Sequence, residues 1–157
     1  MKSKYVLLAS TMLISVATFA QKDQIKAAEK ALKAGKSDEA KTILLDAESV
    51  ITNATEAEKA QYYFVKGNVM LDLANKSVDK DANLSLAAGA FQELIEVEKA
   101  SGKSKYTAQA TKSVMDIKYK LINEAIADSK SDKHEVAAKK LYDAYLLDKK
   151  DTINLYY

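Results

Sequence analysis

Apolar residues recur along this chain at offsets of three and four, the period of a helix and not the alternation of a strand. Ile25, Ala28, Ala31 and Leu32 share one face of residues 22–34, which predicts a helix stopped by Gly35 and followed by a second helix capped by Ser37. Thr55 and Glu58 have capping-box spacing and open a predicted helix through about Ala74, with Tyr63, Phe64, Gly67, Met70 and Leu71 on its apolar side. Further on, Val114, Ile117, Leu121 and Ala125 form one stripe and Met115, Tyr119, Ile122 and Ile126 a second. A helix with two apolar stripes lies between neighbours or lines a groove.

A small, large, small triplet at offsets of four and three appears first as Ala40, Leu44 and Ala47. It returns as Ala87, Phe91 and Leu94, with Leu94 in the second small place, and again as Ala137, Leu141 and Ala144. The small members let a neighbouring helix approach closely and the large member fills the gap. Each triplet follows another helix-like segment, so the pattern reads as helix, turn, helix, three times over.

These positions resemble the tetratricopeptide repeat, a helix pair with small residues at its eighth, twentieth and twenty-seventh places and a large apolar residue at its twenty-fourth. Ala28, Ala40, Leu44 and Ala47 fill those places in the first unit, with Gly35 at the turn. In the second unit Gly67 stands at the eighth place, and residues 75–83 (NKSVDKDAN) add length before Ala87 and Phe91. Ala125, Ala137, Leu141 and Ala144 match in the third. The units are longer than the usual repeat of about 34 residues, and the chain has no proline to close a second helix.

The resemblance implies an all-α, right-handed solenoid of about three antiparallel helix pairs over residues 21–157. It implies that the first helix of each pair lines a concave face holding an extended peptide or a partner helix. Groove positions then fall on Lys22, Ile25 and Glu29, on Gln61, Phe64, Asn68 and Leu71, and on Tyr119, Ile122 and Ile126. The plain alternative is an antiparallel helical bundle without true repeats.

Residues 1–20 carry Lys2 and Lys4, an apolar stretch from Tyr5 to Val16, and ATFA before Gln21, the order of a secretory signal peptide cleaved after Ala20. An uncleaved segment is the alternative, and it would be the only route to membrane contact. The expected location is the periplasm or the wider envelope. The chain has no Cys, so neither a lipid-modified cysteine nor a disulfide is available.

With 157 residues, no Pro and only 4 Gly, the turn residues of a β architecture are scarce. All 24 cationic side chains are lysines, which removes the guanidinium fork used to read phosphates and guanine edges. Once Lys2 and Lys4 are set aside with the leader, positive and negative charges balance, so nucleic acid is not an expected partner.

Candidate chemistry is thin. His134 is the only histidine, placed at a predicted helix start on the surface with no second metal ligand. Asp79, Asp81 and Asn83 imitate the opening of a calcium loop, but Leu84 and Ala90 occupy the places that need Gly and Glu. The acidic pairs Glu56/Glu58 and Glu96/Glu98 suit solvated helix faces. No catalytic residue, metal site or cofactor is expected. Tyrosines cluster at Tyr62/Tyr63, Tyr142/Tyr145 and Tyr156/Tyr157, where filling helix contacts is the plainer reading and a binding surface the other.

The closing residues 151–157 (DTINLYY) read as the opening of one more helix, which would leave an association surface at the end of the array. The expectation is therefore a non-catalytic scaffold for a protein or peptide partner, with homo-oligomer formation through the C-terminal edge also open. The alternatives are a self-associating helical bundle and the front part of a longer protein.

Overall fold

The computed structural model describes residues 22–49 and 51–151. Among these, every regular element is a helix: α1 (22–33), α2 (Ser37–Glu48), a short 3₁₀ turn (Ile51–Asn53), α3 (Glu56–Asn75), α4 (Lys80–Ser101), α5 (Thr107–Lys130) and α6 (His134–Leu147). The expected leader (1–20) and the expected opening of a final helix (152–157) lie outside the described residues.

The local signals explain most boundaries. Gly35 takes φ +75°, a left-handed conformation that suits a residue without Cβ, and the chain turns there between α1 and α2. The capping box of α3 is formed: Glu58 N–H donates to Thr55 Oγ1 at 3.3 Å, and Thr55 N–H donates to the Glu58 carboxylate at 3.0 Å. Gly102 at φ +67° ends α4, where Lys103 N–H donates to the Glu98 carbonyl.

Two expectations are corrected. The cap residue of α2 is Lys36, which makes no side-chain cap, and Ser37 is the first helical residue. Its hydroxyl donates instead to Asp72 on α3, because the tertiary contact offers a carboxylate where the helix end offers an amide. Residues 75–83, expected as extra residues between the helices, are only partly a connection. Asn75 ends α3, the link runs four residues from Lys76 to Asp79, and residues 80–83 are the first turn of the 22-residue α4. Asn83 makes this possible by donating to the Val78 carbonyl at 2.8 Å, which ties the turn, with Ser77 and Asp79 at positive φ, to the first turn of α4.

Side-chain ties give the helix directions. Gln61 meets Glu29 near the beginning of α3, and Lys76 donates to the Gly35 carbonyl near its end, so α1 and α3 run the same way. Phe64 meets Tyr106 and Asn75 meets Lys120, so α5 runs that way too. The α3–α4 and α5–α6 contacts are the most extensive.

The main core holds Ile25, Ala28, Ala40, Leu44, Ala47, Ala87, Phe91, Leu94 and Ala144, all at 1% exposure or less. Gly67 on α3 lies directly against the Phe91 ring of α4. A Cβ placed there would stand 2.6 Å from Cε1 of Phe91, so only glycine admits that ring. Ala125, Ala137 and Leu141 form a separate buried cluster at the far end of the α5–α6 hairpin.

Candidate partner-binding surfaces

The face shared by α1, α3 and α5 is filled to different depths along its length. Ile25 is fully buried in the core, so it packs helices and does not line an open groove, a correction to its expected place. The apolar stripe of α1 has only one direction in which to find cover, and Ile25 turns there. Glu29 beside it is half-buried and accepts hydrogen bonds from Lys33 at 2.6 Å and Gln61 at 3.3 Å. The hydrogen bond from Lys33 leads the effects that hold its pKa below the ordinary value, against the opposing effect of burial.

Phe64 stacks on Tyr106 with ring centroids 4.4 Å apart and planes 18° from parallel. Asn68 turns its amide back to the Phe64 carbonyl at 2.7 Å, while Leu71 and Ile122 pack against the core. Tyr119 and Ile126, at 55% and 43% exposure, remain open to solvent. The ten expected groove residues therefore separate into a packed middle and an open stretch on α5, with Lys22 exposed at the start of α1.

The loop between α4 and α5 contributes what the pattern of helical faces did not anticipate. Glu98, only 2% exposed, sits one turn before the end of α4 and accepts from the Tyr106 and Thr107 N–H groups and the Thr107 hydroxyl. Burial opposes its ionisation, but these hydrogen bonds prevail and its pKa lies below the ordinary value. A carboxylate thus caps α5 from another helix and fixes the loop across the beginning of α3. Behind that loop is a cleft of about 250 Å³, lined by Lys22, Lys103 and Lys105, by Glu56, Glu58 and Glu98, and by Gln61 and Tyr106 among others. In the sequence, GKSKY carried only the mark of a connector, since its contact with α3 depends on the arrangement of helices far apart along the chain.

A second surface lies at the far end of α5–α6. Ala125, Ile126, Ala137 and Leu141 line a depression of about 330 Å³, with Lys130 and His134 at its rim. His134 is exposed and stands 3.7 Å from Asp132. Ala137 and Leu141 are the first two residues of the third triplet, whose Ala144 is buried in the main core.

The buried charges serve the fold. Lys118, 2% exposed, donates to Asp148 at 3.0 Å and Asp151 at 2.7 Å, fastening the chain after α6 onto α5. Burial lowers its pKa, but the two carboxylates outweigh that effect and the net shift is upward. Glu124 on α5 lies between Lys80 on α4 at 2.6 Å and Lys140 on α6 at 3.3 Å, and Lys140 also reaches Asp128 at 2.7 Å. Such a network costs desolvation and contributes chiefly to the register of the helices it joins. Among the described residues no group of three or more His, Cys, Asp or Glu could hold a metal ion, and no helix is long and apolar enough to cross a membrane. No family model, curated protein or solved structure matches the chain.

Proposed function

We propose that this chain is an exported, non-catalytic binding scaffold, a tetratricopeptide-like array of three helix pairs that holds a peptide or partner helix on the face of α1, α3 and α5. The observation that carries the reading is the common direction of these three helices, fixed by Gln61 on Glu29, Phe64 on Tyr106 and Lys120 on Asn75. First helices of successive pairs run in parallel in such an array, and their shared face is its binding surface. The burial of Gly67 against Phe91 supports the same register, with a small residue of one helix receiving the large residue of its mate.

The test uses the protein as bait in a native envelope extract, beside a variant with Gln61→Ala and Tyr119→Ala, neither of which removes a core residue. A partner retained by the wild type and lost by this variant, yet kept by Tyr142→Ala on α6, is the expected result. Equal recovery with all three proteins would remove the groove.

A second reading has its own observation. The depression lined by Ala125, Ala137 and Leu141 also has Ile126, 43% exposed, in its wall, an apolar surface that a second copy of the chain would cover. Sedimentation equilibrium decides this one: a dimer that Ile126→Lys converts to monomer supports self-association, and a monomer at all concentrations excludes it.

A further inference from the structure

Phe64, expected on the shared face of α1, α3 and α5, is covered by a residue of the α4–α5 loop. Tyr106 stacks on it with ring centroids 4.4 Å apart, and both residues are half-buried. Tyr106 closes a loop whose preceding residues, Gly102, Lys103, Ser104 and Lys105, are all exposed. A flat ring laid on Phe64 takes the place that a side chain of a bound partner would need.

The loop is held from α4. The Glu98 carboxylate accepts from the Tyr106 N–H at 3.0 Å, the Thr107 N–H at 2.8 Å and the Thr107 hydroxyl at 2.6 Å. Tyr106, the cap residue of α5, makes no side-chain cap of its own, so the first turn of α5 depends on this carboxylate. At the other end of the loop a Cβ added to Gly102, at φ +67°, would meet nothing within 4 Å. A segment with exposed residues and few packed contacts opens at lower cost than the core.

Glu98 shares its surroundings with Lys22 on α1, Glu56 and Glu58 on α3, and Lys103 and Lys105 on the loop, which line the same cleft. Lys105 also feels the charge of Glu98. Lysines keep their charge through the acid range, so the carboxylates are the groups that change there. Glu56 is paired with Lys59 and Glu58 with Thr55, whereas Glu98 is bonded to the end of the loop. Burial opposes the ionisation of Glu98, but its hydrogen bonds prevail and hold its pKa below the ordinary value. The carboxylate is therefore charged and the loop held at neutral pH, and the hold is lost as pH falls through that lowered value. Protonation places a hydrogen on an oxygen that already faces N–H and O–H donors, so donor meets donor.

We propose that residues 102–106 form a lid over Phe64, latched by ionised Glu98 and released by its protonation, so that Tyr106 masks part of the proposed binding face until the latch opens. The inference rests on the scaffold reading and adds a control to its face.

Proton NMR of the full chain, taken from about pH 7 to about pH 3, tests it. The Tyr106 and Thr107 amide protons are expected to shift together as Glu98 titrates. The NOE between the Phe64 and Tyr106 rings fades with the same midpoint, while those between Phe91 and Gly67 persist. In Glu98→Gln the titration of both amides disappears, and they exchange with solvent about tenfold faster at neutral pH. The Thr55 amide, bonded to Glu58, reports that carboxylate separately.

Persistence of the Phe64–Tyr106 NOE after both amides have titrated would overturn the lid. Loss of the Phe91–Gly67 NOEs at the same pH would do so as well, since the whole chain would then be unfolding. Capture from a native envelope extract adds a second readout. Glu98→Gln is expected to recover more partner than the wild type, and equal recovery would overturn the masking. No captured partner, with the NOEs changing as expected, would remove the scaffold and leave the lid standing.

Discussion

At the α3–α4 contact Phe91 is fully buried with Gly67 beneath its ring, whereas at the end of α5–α6 Leu141 stands 8% exposed beside an open depression. Both residues occupy the large place of the same small, large, small spacing. The first belongs to the main core, which draws on all six helices, and the second to a small cluster within its own hairpin. The same four-and-three spacing therefore gives a sealed joint in one place and an unfinished surface in another, and the difference lies in what each helix pair is packed against.

The comparison is tested most severely at Phe91. Phe91→Ala should cost about 3–5 kcal/mol by urea denaturation, because the ring is enclosed on every side and its removal leaves a cavity. Gly67→Ala sets two effects against each other. Helix propensity alone would favour alanine by about 1 kcal/mol, and overpacking against the Phe91 ring opposes it by up to about 3. A net loss near 2 kcal/mol is expected, and a gain in stability would show that the ring is free to move.

At the open end Leu141→Ala should cost no more than about 2 kcal/mol, the lower limit for a buried leucine, since solvent can enter the space it leaves. A loss as large as that of Phe91→Ala would mean that the depression is covered in solution, by a second copy or another part of the chain.

Glu98→Gln should cost about 1.5 kcal/mol at neutral pH, where its charge strengthens three hydrogen bonds at the start of α5. The folded-state pKa of Glu98 is lowered, so its stabilisation is present above the ordinary carboxylate value and is lost as pH falls through the folded value. The difference between wild type and variant should accordingly shrink on acidification, which paired denaturation curves across the acid range would measure. Ile126→Ser, on the open face, should change stability by less than about 0.5 kcal/mol.

Much of the fold was legible in the chain. The helical period marked the apolar faces, and Thr55, Glu58 and Gly35 marked boundaries through hydrogen bonds and a backbone conformation that involve only neighbours in sequence. Gly67 and Phe91 could be named as packing residues from spacing, since small and large residues on facing helices have few other uses. The face proposed for binding was less legible. Ile25, Phe64 and Tyr119 carried the same expectation, and the structure distributes them among core, stacked wall and open surface. A helical face tells which residues point together and not how deeply a neighbouring element covers them.

What the sequence determined alone is whatever depends on residues within a turn or two of one another: the all-helical class, the capping box of α3, the glycine turn and the packing stripes. The tertiary structure decided the rest. It took Ser37 away from its expected cap to meet Asp72, used Glu98 of one helix to cap another, and laid the Lys103–Tyr106 loop across the beginning of α3. Each of these joins groups of different elements through a hydrogen bond or ring contact that exists only when helices have found their places, so no local period announces it.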